Sequence, residues 1–155
     1  MPANIIETFY DAFSKRDWKT MQNCYHPEAT FSDSVFVNLN AQEVKAMWQM
    51  LVSSAKDIEI VYKDVQINGS DASANWIATY TFSVTKRKVV NDILANFELK
   101  DGLIYRHRDH FGFYKWASKA FGMTGILLGW TPFFKNKIRK VSREKLQAFM
   151  QKTSS

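Results

Sequence analysis

The stretch GLIYRHRDHF (residues 102–111) places two arginines, two histidines and one aspartate in a run from Arg106 to His110. On a β-strand, successive side chains point to opposite faces. Tyr105, His107, Asp109 and Phe111 would then share one face, and Arg106, Arg108 and His110 the other. His107 and Asp109 at i, i+2 lie about 7 Å apart along a strand. An imidazole changes charge near neutral pH, and a neighbouring carboxylate can orient it or take up a proton. The chemistry such a pair could do is cofactor-free proton transfer. The face carrying Tyr105, His107 and Asp109 is expected to look inward, by parity with Leu103 and because burying two unpaired arginines is costly. Ile104 then falls on the outer face, where a partner subunit could cover it. The competing reading is a structural His–Asp pair, since buried ion-paired networks also form without doing chemistry.

A second carboxylate, Asp33, sits in Ser-Asp-Ser (32–34) after Pro27. At the mouth of an apolar pocket, burial would raise its pKa and suit it to shuttle a proton. As a turn residue it would instead bond its own backbone. Phe13, Trp48, Tyr62, Trp76, Tyr80, Phe97, Tyr105 and Phe111 are the candidate walls of a ligand pocket, where rings can stack on a flat hydrophobic molecule. Most inward aromatics of a strand are core, and that reading stands beside the first. His26, His107, His110, Asp33 and Asp109 could offer metal ligands, but no HxH or HExxH spacing is present. Neither a Gly-rich phosphate loop nor a serine nucleophile elbow occurs, so no metal and no cofactor is expected.

The elements that must hold these residues follow from periodicity. Residues 3–14 place Ile5, Ile6, Phe9, Tyr10 and Phe13 at helical spacing. Asp17 and Asn40 are N-cap candidates for two further helices, WKTMQNCY and AQEVKAMWQMLVSSA. Between them Pro27 reads as a breaker, with a short hairpin around Ser32–Ser34. From residue 58 the period changes to two. Strands are predicted over 58–68, over ASANWIATYTFSVT (72–85), over VVNDILANFELK (89–100) and over LIYRHRDHFGF (103–113). Asp101-Gly102 is a hairpin turn signal. A helix is expected to begin in 113–122. Helices followed by an antiparallel meander give an α+β class. A strongly curved sheet wrapped around a helix makes a cone with an open end.

The chain has 155 residues, 46 % hydrophobic and 15 % aromatic, which fits one folded domain and excludes a disordered chain. One cysteine, Cys24, excludes an internal disulfide framework and agrees with a reducing, cytoplasmic setting. The N-terminus does not look like a signal peptide, and no run is long enough to span a membrane. The net charge of +6 comes from residues 135–155, whose seven Lys/Arg face only Glu144. That segment follows the most apolar stretch, FGMTGILLGWTPFF (121–134). Ile138, Val141, Leu146 and Phe149 form an apolar stripe on the basic helix. Residues 121–150 could therefore anchor at a membrane surface; the favoured reading is a lid over the pocket or a dimer contact, with solvated charges. Nucleic acid is not the expected partner.

FYDAFSKRDWKTMQNCYHPEATFSD and ANFELKDGLIYRHRDHFGFYKWA together resemble the opening and the closing hairpin of the nuclear transport factor 2-like superfamily, which includes SnoaL-like cyclases and ketosteroid isomerases. The likeness covers about residues 3–117, with 118–152 as a helical extension. Within the superfamily the chain most resembles SnoaL-like bacterial proteins that end in a LLGWTPF-type segment. The resemblance implies an α+β cone, N-terminal helices in a strongly curved, mainly antiparallel sheet, a deep apolar pocket and a homodimer formed through the sheet. It implies a small hydrophobic ligand and either isomerase, cyclase or hydrolase chemistry or a non-catalytic binding or interaction module. Asp33 falls at the isomerase's general-base position. The isomerase's oxyanion acid falls near Ala95, which cannot donate a hydrogen bond.

Overall fold

A computed structural model describes residues 4–154; Ala3, expected within the first helix, lies outside the described residues. Three helices come first, each starting at a side-chain cap. Asn4 Oδ1 accepts the Glu7 N–H at 2.9 Å and opens α1 (Ile5–Ser14). Asp17 accepts the Thr20 N–H at 3.2 Å and opens α2 (Trp18–Asn23). Asn40 opens α3 (Ala41–Ser54) with a capping box. Its side chain accepts the Glu43 N–H at 2.9 Å, and Glu43 Oε1 accepts the Asn40 N–H at 3.0 Å. Such caps satisfy donors that the first helical turn leaves free.

The strands are β1 (Tyr25–Ser32), β2 (Leu39–Asn40), β3 (Glu59–Asn68), β4 (Asp71–Thr81), β5 (Lys88–Lys100) and β6 (Leu103–His110). They form one curved, unclosed sheet in the order β2-β1-β6-β5-β4-β3. Only β1 and β6 run parallel. The short hairpin expected around Ser32–Ser34 is present, since β1 and β2 pair antiparallel across that loop; the expectation of Pro27 as a breaker is corrected, because Pro27 lies inside β1. Tyr25 pairs with Ile104 and Thr30 with Arg106, so the residues between them bulge away from β6. A residue without an N–H is tolerated where the ladder is already interrupted. β4 ends at Thr81, short of Val84. The Phe82 N–H bonds Arg87 O at 2.8 Å, and Lys86 adopts a φ of 62° in the turn to β5.

The concave face of the sheet wraps α1 and part of α3. Ala72, Ala74, Ala78 and Ala95 are buried there, small enough to admit Phe9, Tyr10, Phe13 and Trp48 from the helices. Interiors pack at crystal-like density, so these alanines are the counterpart of the large rings. Burying each such ring contributes about 1.5–3 kcal/mol.

The extension folds as α4 (Phe113–Phe121), α5 (Met123–Leu128) and α6 (Pro132–Ser154). Phe113, Trp116, Ala117, Ala120, Phe134 and Val89 make a second buried cluster at the rim of the sheet. α6 then runs back over α3. Leu146 is fully buried, and Glu43 Oε2 accepts from both Arg143 Nη2 and Gln147 Nε2 at 3.1 Å. α6 thus packs on the domain through α3. Ile138, Leu146 and Phe149 are turned at least partly into the domain, so they are not a free apolar stripe.

α5 lies against α4 through Gly125. A Cβ added at Gly125 would stand 2.0 Å from the Ala117 carbonyl oxygen, which cannot swing away. Gly125→Ala should lower stability by about 1–3 kcal/mol through overpacking. A urea unfolding midpoint unchanged from wild type would show that the α4–α5 contact is not as close as described.

Candidate functional site

β6 sets the site, and a bulge sets β6. Leu99 pairs with Ile104 and Glu98 with Arg106, which leaves Tyr105 as the extra residue. Ile104 and His107 therefore both point inward although they are three apart. The parity from Leu103 is corrected by this bulge. Ile104 is fully buried within the chain's own core and needs no partner to cover it. Tyr105 is only half-buried and packs edge-on to His26, 5.3 Å between ring centroids, away from His107. Beyond the bulge the expected faces hold. His107 and Asp109 are buried, and Arg106, Arg108 and His110 are exposed.

Hydrogen-bond directions around His107 can be read from donor counts. Trp48 Nε1–H can only donate, and it donates to Tyr25 Oη at 2.8 Å. The Tyr25 hydroxyl lies 2.8 Å from His107 Nδ1, and its own proton has that nitrogen as acceptor. The imidazole proton then sits on Nε2 and is donated to Asp109 Oδ1 at 2.9 Å. Trp76 Nε1–H donates to the same oxygen at 3.3 Å. Both ring nitrogens of His107 are thus occupied, and the ring is held in place from two sides. Phe9, Phe31 and Phe97 close around it, with ring centroids 5.7, 4.9 and 4.3 Å from its own. Burial with every polar atom paired is the arrangement a core tolerates.

Asp109 differs from His107 in one respect. Its Oδ2 has no hydrogen-bond partner among the described residues, and Asp109 lines an open groove of about 540 Å³ at the wide end of the cone. Ser32, Asp33, Ser34, Phe111, Lys135 and Arg139 line it too. Asp33 belongs to a tight loop. Its Oδ1 accepts the N–H groups of Val35 and Phe36 at 2.7 and 2.6 Å, as the turn reading required. Burial pushes its carboxyl up to about 7, and the Asp109 charge adds to that; the two backbone N–H groups and Arg139 work the other way. Arg139 Nε donates to Ser34 O at 3.1 Å, and Arg143 Nη1 to Val37 O at 3.3 Å, so α6 holds both sides of this loop. The Lys135 ammonium lies 5.7 Å from the Phe113 ring centroid.

Of the expected pocket walls, only Phe111 lines the groove. Phe13, Trp48, Trp76 and Phe97 are core residues packed on one another and on Tyr10 and His107. Tyr62 donates to Asp11 at 2.6 Å near the start of the chain, and Tyr80 accepts from Trp116 Nε1 at 2.9 Å. Large rings on the inner strands fill the cone because α1 and α3 bring rings to meet them. His107 lies behind Asp109 and does not line the groove. Tyr25, Lys135 and Arg139 were missed as site residues. Tyr25 sits in the Tyr-His-Pro corner, which was a usable signal. The two cations were visible only as members of a basic tail. Among the described residues no three His, Cys, Asp or Glu side chains cluster as metal ligands.

The SnoaL-like domain model matches residues 6–107. The chain belongs to the SnoaL-like domain family. No curated protein matches it by sequence. Solved structures with the same fold include TerC co-crystallised with polyporic acid, at 14 % identity and a TM-score of 0.65 over 76 % of this chain and 96 % of that one. Another is a protein of ketosteroid isomerase-like fold from Catenulispora acidiphila in complex with trimethylamine, at 8 % identity and 0.67 over 85 % and 100 %. A third is an epoxide hydrolase of the LEH-like type from M. tuberculosis, at 15 % and 0.61 over 80 % and 92 %. In this SnoaL-like protein, the α+β cone and its open sheet follow the superfamily, as its closing hairpin suggested.

Two measurements test the site's electrostatics. With a folded pKa of about 7, above the ordinary carboxylate value, Asp33 binds its proton more tightly when folded. Its contribution to stability is therefore present at acid pH and is lost as pH rises from about 4 to about 7. Asp33→Asn keeps the oxygen that caps Val35 and Phe36, and it should flatten that fall in Tm. If wild type and variant have parallel Tm–pH curves, Asp33 does not titrate as stated. His107→Phe keeps a ring but strands the Tyr25 hydroxyl and removes a donor from Asp109, at a cost of about 1–3 kcal/mol in chemical denaturation. A neutral or stabilising result would mean that the network contributes nothing to the fold.

Proposed function

We propose that the groove binds a small molecule with an apolar body and an oxygen-bearing end, and that Asp109 and Asp33 exchange protons with it without a cofactor. The observation that carries this reading is the free Oδ2 of Asp109, which no side chain occupies, on a carboxylate that lines a groove holding a second carboxyl poised near neutral pH. Asp109 accepts a proton from the bound molecule or from a water beside it. Asp33, half protonated near neutral pH, delivers one to the other end. The terminal nitrogens of Arg139 and the Lys135 ammonium carry no hydrogen bond among the described residues, so they can offset charge that develops on a ligand oxygen. His107 is a positioning residue. It fixes which oxygen of Asp109 is occupied and which is free. Isomerase, cyclase and hydrolase steps all use such an acid–base pair. The epoxide hydrolase and the polyporic acid complex among the structural neighbours agree in kind with this choice of ligand.

The alternative is a binding module without turnover. It is favoured by the capped Oδ1 of Asp33, which fits a purely structural loop equally well. We also read the protein as a homodimer formed through the outer face of the sheet, where Val61, Val90 and Leu94 are exposed. A cytoplasmic setting is our reading of the lone, buried, free Cys24.

The test is turnover of a panel of small epoxides and enolisable ketones by wild type, Asp109→Asn and Asp33→Asn. Turnover should fall by about 100-fold or more in each variant, as for loss of a general acid or base, with Tm at pH 5 within a few degrees of wild type. Compounds that raise Tm but are never converted would select the binding module. Turnover that survives both substitutions would place the chemistry elsewhere.

A further inference from the structure

We propose that α5, the turn after it and the first turn of α6 form a docking face for an anionic lipid bilayer. The observation is an inverted helix. α5 and its flanks bury glycines and expose their large apolar side chains. Gly122, Gly125 and Gly129 are buried, the last two within close reach of Ala117 on α4. Met123, Ile126, Leu127, Trp130 and Phe133 point outward, with Leu127 at 61 %, Trp130 at 71 % and Phe133 at 77 % exposure. Neighbours in the same segment behave ordinarily, since Trp116 and Phe134 are buried in the rim cluster. The segment thus packs through its smallest residues and directs its largest ones away from the domain. In water alone this arrangement forfeits the gain from burying apolar surface.

Charge selects the occupant. From Phe113 to Arg143 the sequence contains no Asp or Glu, and it contains Lys115, Lys119, Lys135, Lys137, Arg139, Lys140 and Arg143. A two-fold contact between two copies of this face would set that basic segment against itself. Anionic headgroups complement it, and an exposed Trp and Phe suit the boundary between headgroup and acyl chain. No described helix is long and apolar enough to cross a membrane, so the contact lies in the interface. The surface differs from the apolar stripe of the basic helix α6 suggested by helical periodicity, whose Leu146 is fully buried in the domain. Lys135 borders the proposed groove as well, so a docked molecule would present that groove close to the lipid surface. The proposal does not depend on the groove's activity.

The test is co-sedimentation of the full chain with vesicles of phosphatidylcholine alone or with phosphatidylglycerol added. The expected result is at least tenfold stronger binding to the anionic vesicles, weakening as salt is raised. Trp130→Ser combined with Phe133→Ser leaves every charge in place and should reduce that binding at least tenfold, with Tm within a few degrees of wild type because both side chains are exposed and only the solvent-exposed bond from Trp130 Nε1 to Leu127 O is lost. Binding that survives the double substitution would be charge attraction alone and would overturn the docking face. So would no binding by wild type, or equal binding to both vesicle types. Sedimentation velocity supplies the remaining outcome. A dimer abolished by the same double substitution, without vesicle binding, would make a second copy the occupant and overturn the proposal.

Discussion

His107 lies where the first helix, the third helix and three strands converge, and both of its ring nitrogens are occupied. The Trp48 indole donates to the Tyr25 hydroxyl, which lies 2.8 Å from His107 Nδ1, and His107 Nε2 lies 2.9 Å from Asp109 Oδ1. The Trp76 indole closes the chain on the same carboxylate oxygen. An unpaired group in this ring-lined interior would carry a full desolvation penalty. The network therefore restricts how α3, β1, β4 and β6 can be arranged at once. It also has one directional consequence. Both donors reach Asp109 Oδ1, and the second oxygen is left for the groove.

The wide end of the cone is shaped by a different force. Glu43 is used three times: its backbone N–H is capped by Asn40, one carboxylate oxygen returns the cap, and the other receives Arg143 and Gln147 from α6. A single acid in α3 thus helps pin the C-terminal helix across the domain. That helix in turn holds the Asp33 loop with Arg139 and Arg143 and supplies the groove's cations. Asp33 keeps its proton to about pH 7 because loss of water around the carboxyl outweighs two backbone N–H groups and a nearby guanidinium. The basic charge of the tail serves packing and the groove. It also follows, in sequence, a helix whose apolar side chains lie exposed.

Much of this was legible in the residues. Local signals were sufficient for the caps at Asp17 and Asn40, the Asp101-Gly102 turn and the four meander strands, because each depends on neighbours in the chain. The inward direction of His107 and Asp109 followed from the cost of burying arginine, and the class of fold followed from element order and from the superfamily's paired motifs. The domain's lone cysteine and lopsided charge were also plain from composition.

Tertiary structure decided the rest, since it concerns which distant residues meet. The bulge at Tyr105 sent Ile104 inward, and strand parity cannot register one extra residue until the partner strand is known. Pro27 interrupts the pairing of β1 with β6 without ending the strand, which local propensity reads as a break. Phe13, Trp48, Trp76 and Phe97 are core because helices bring rings against them; alternation alone cannot tell a filled cone from a hollow one. The groove's partners for Asp109 come from a loop and a helix far along the chain. Sequence fixed the kinds of side chain available, and only packing determined that Asp109 keeps an oxygen free while His107 does not keep a nitrogen.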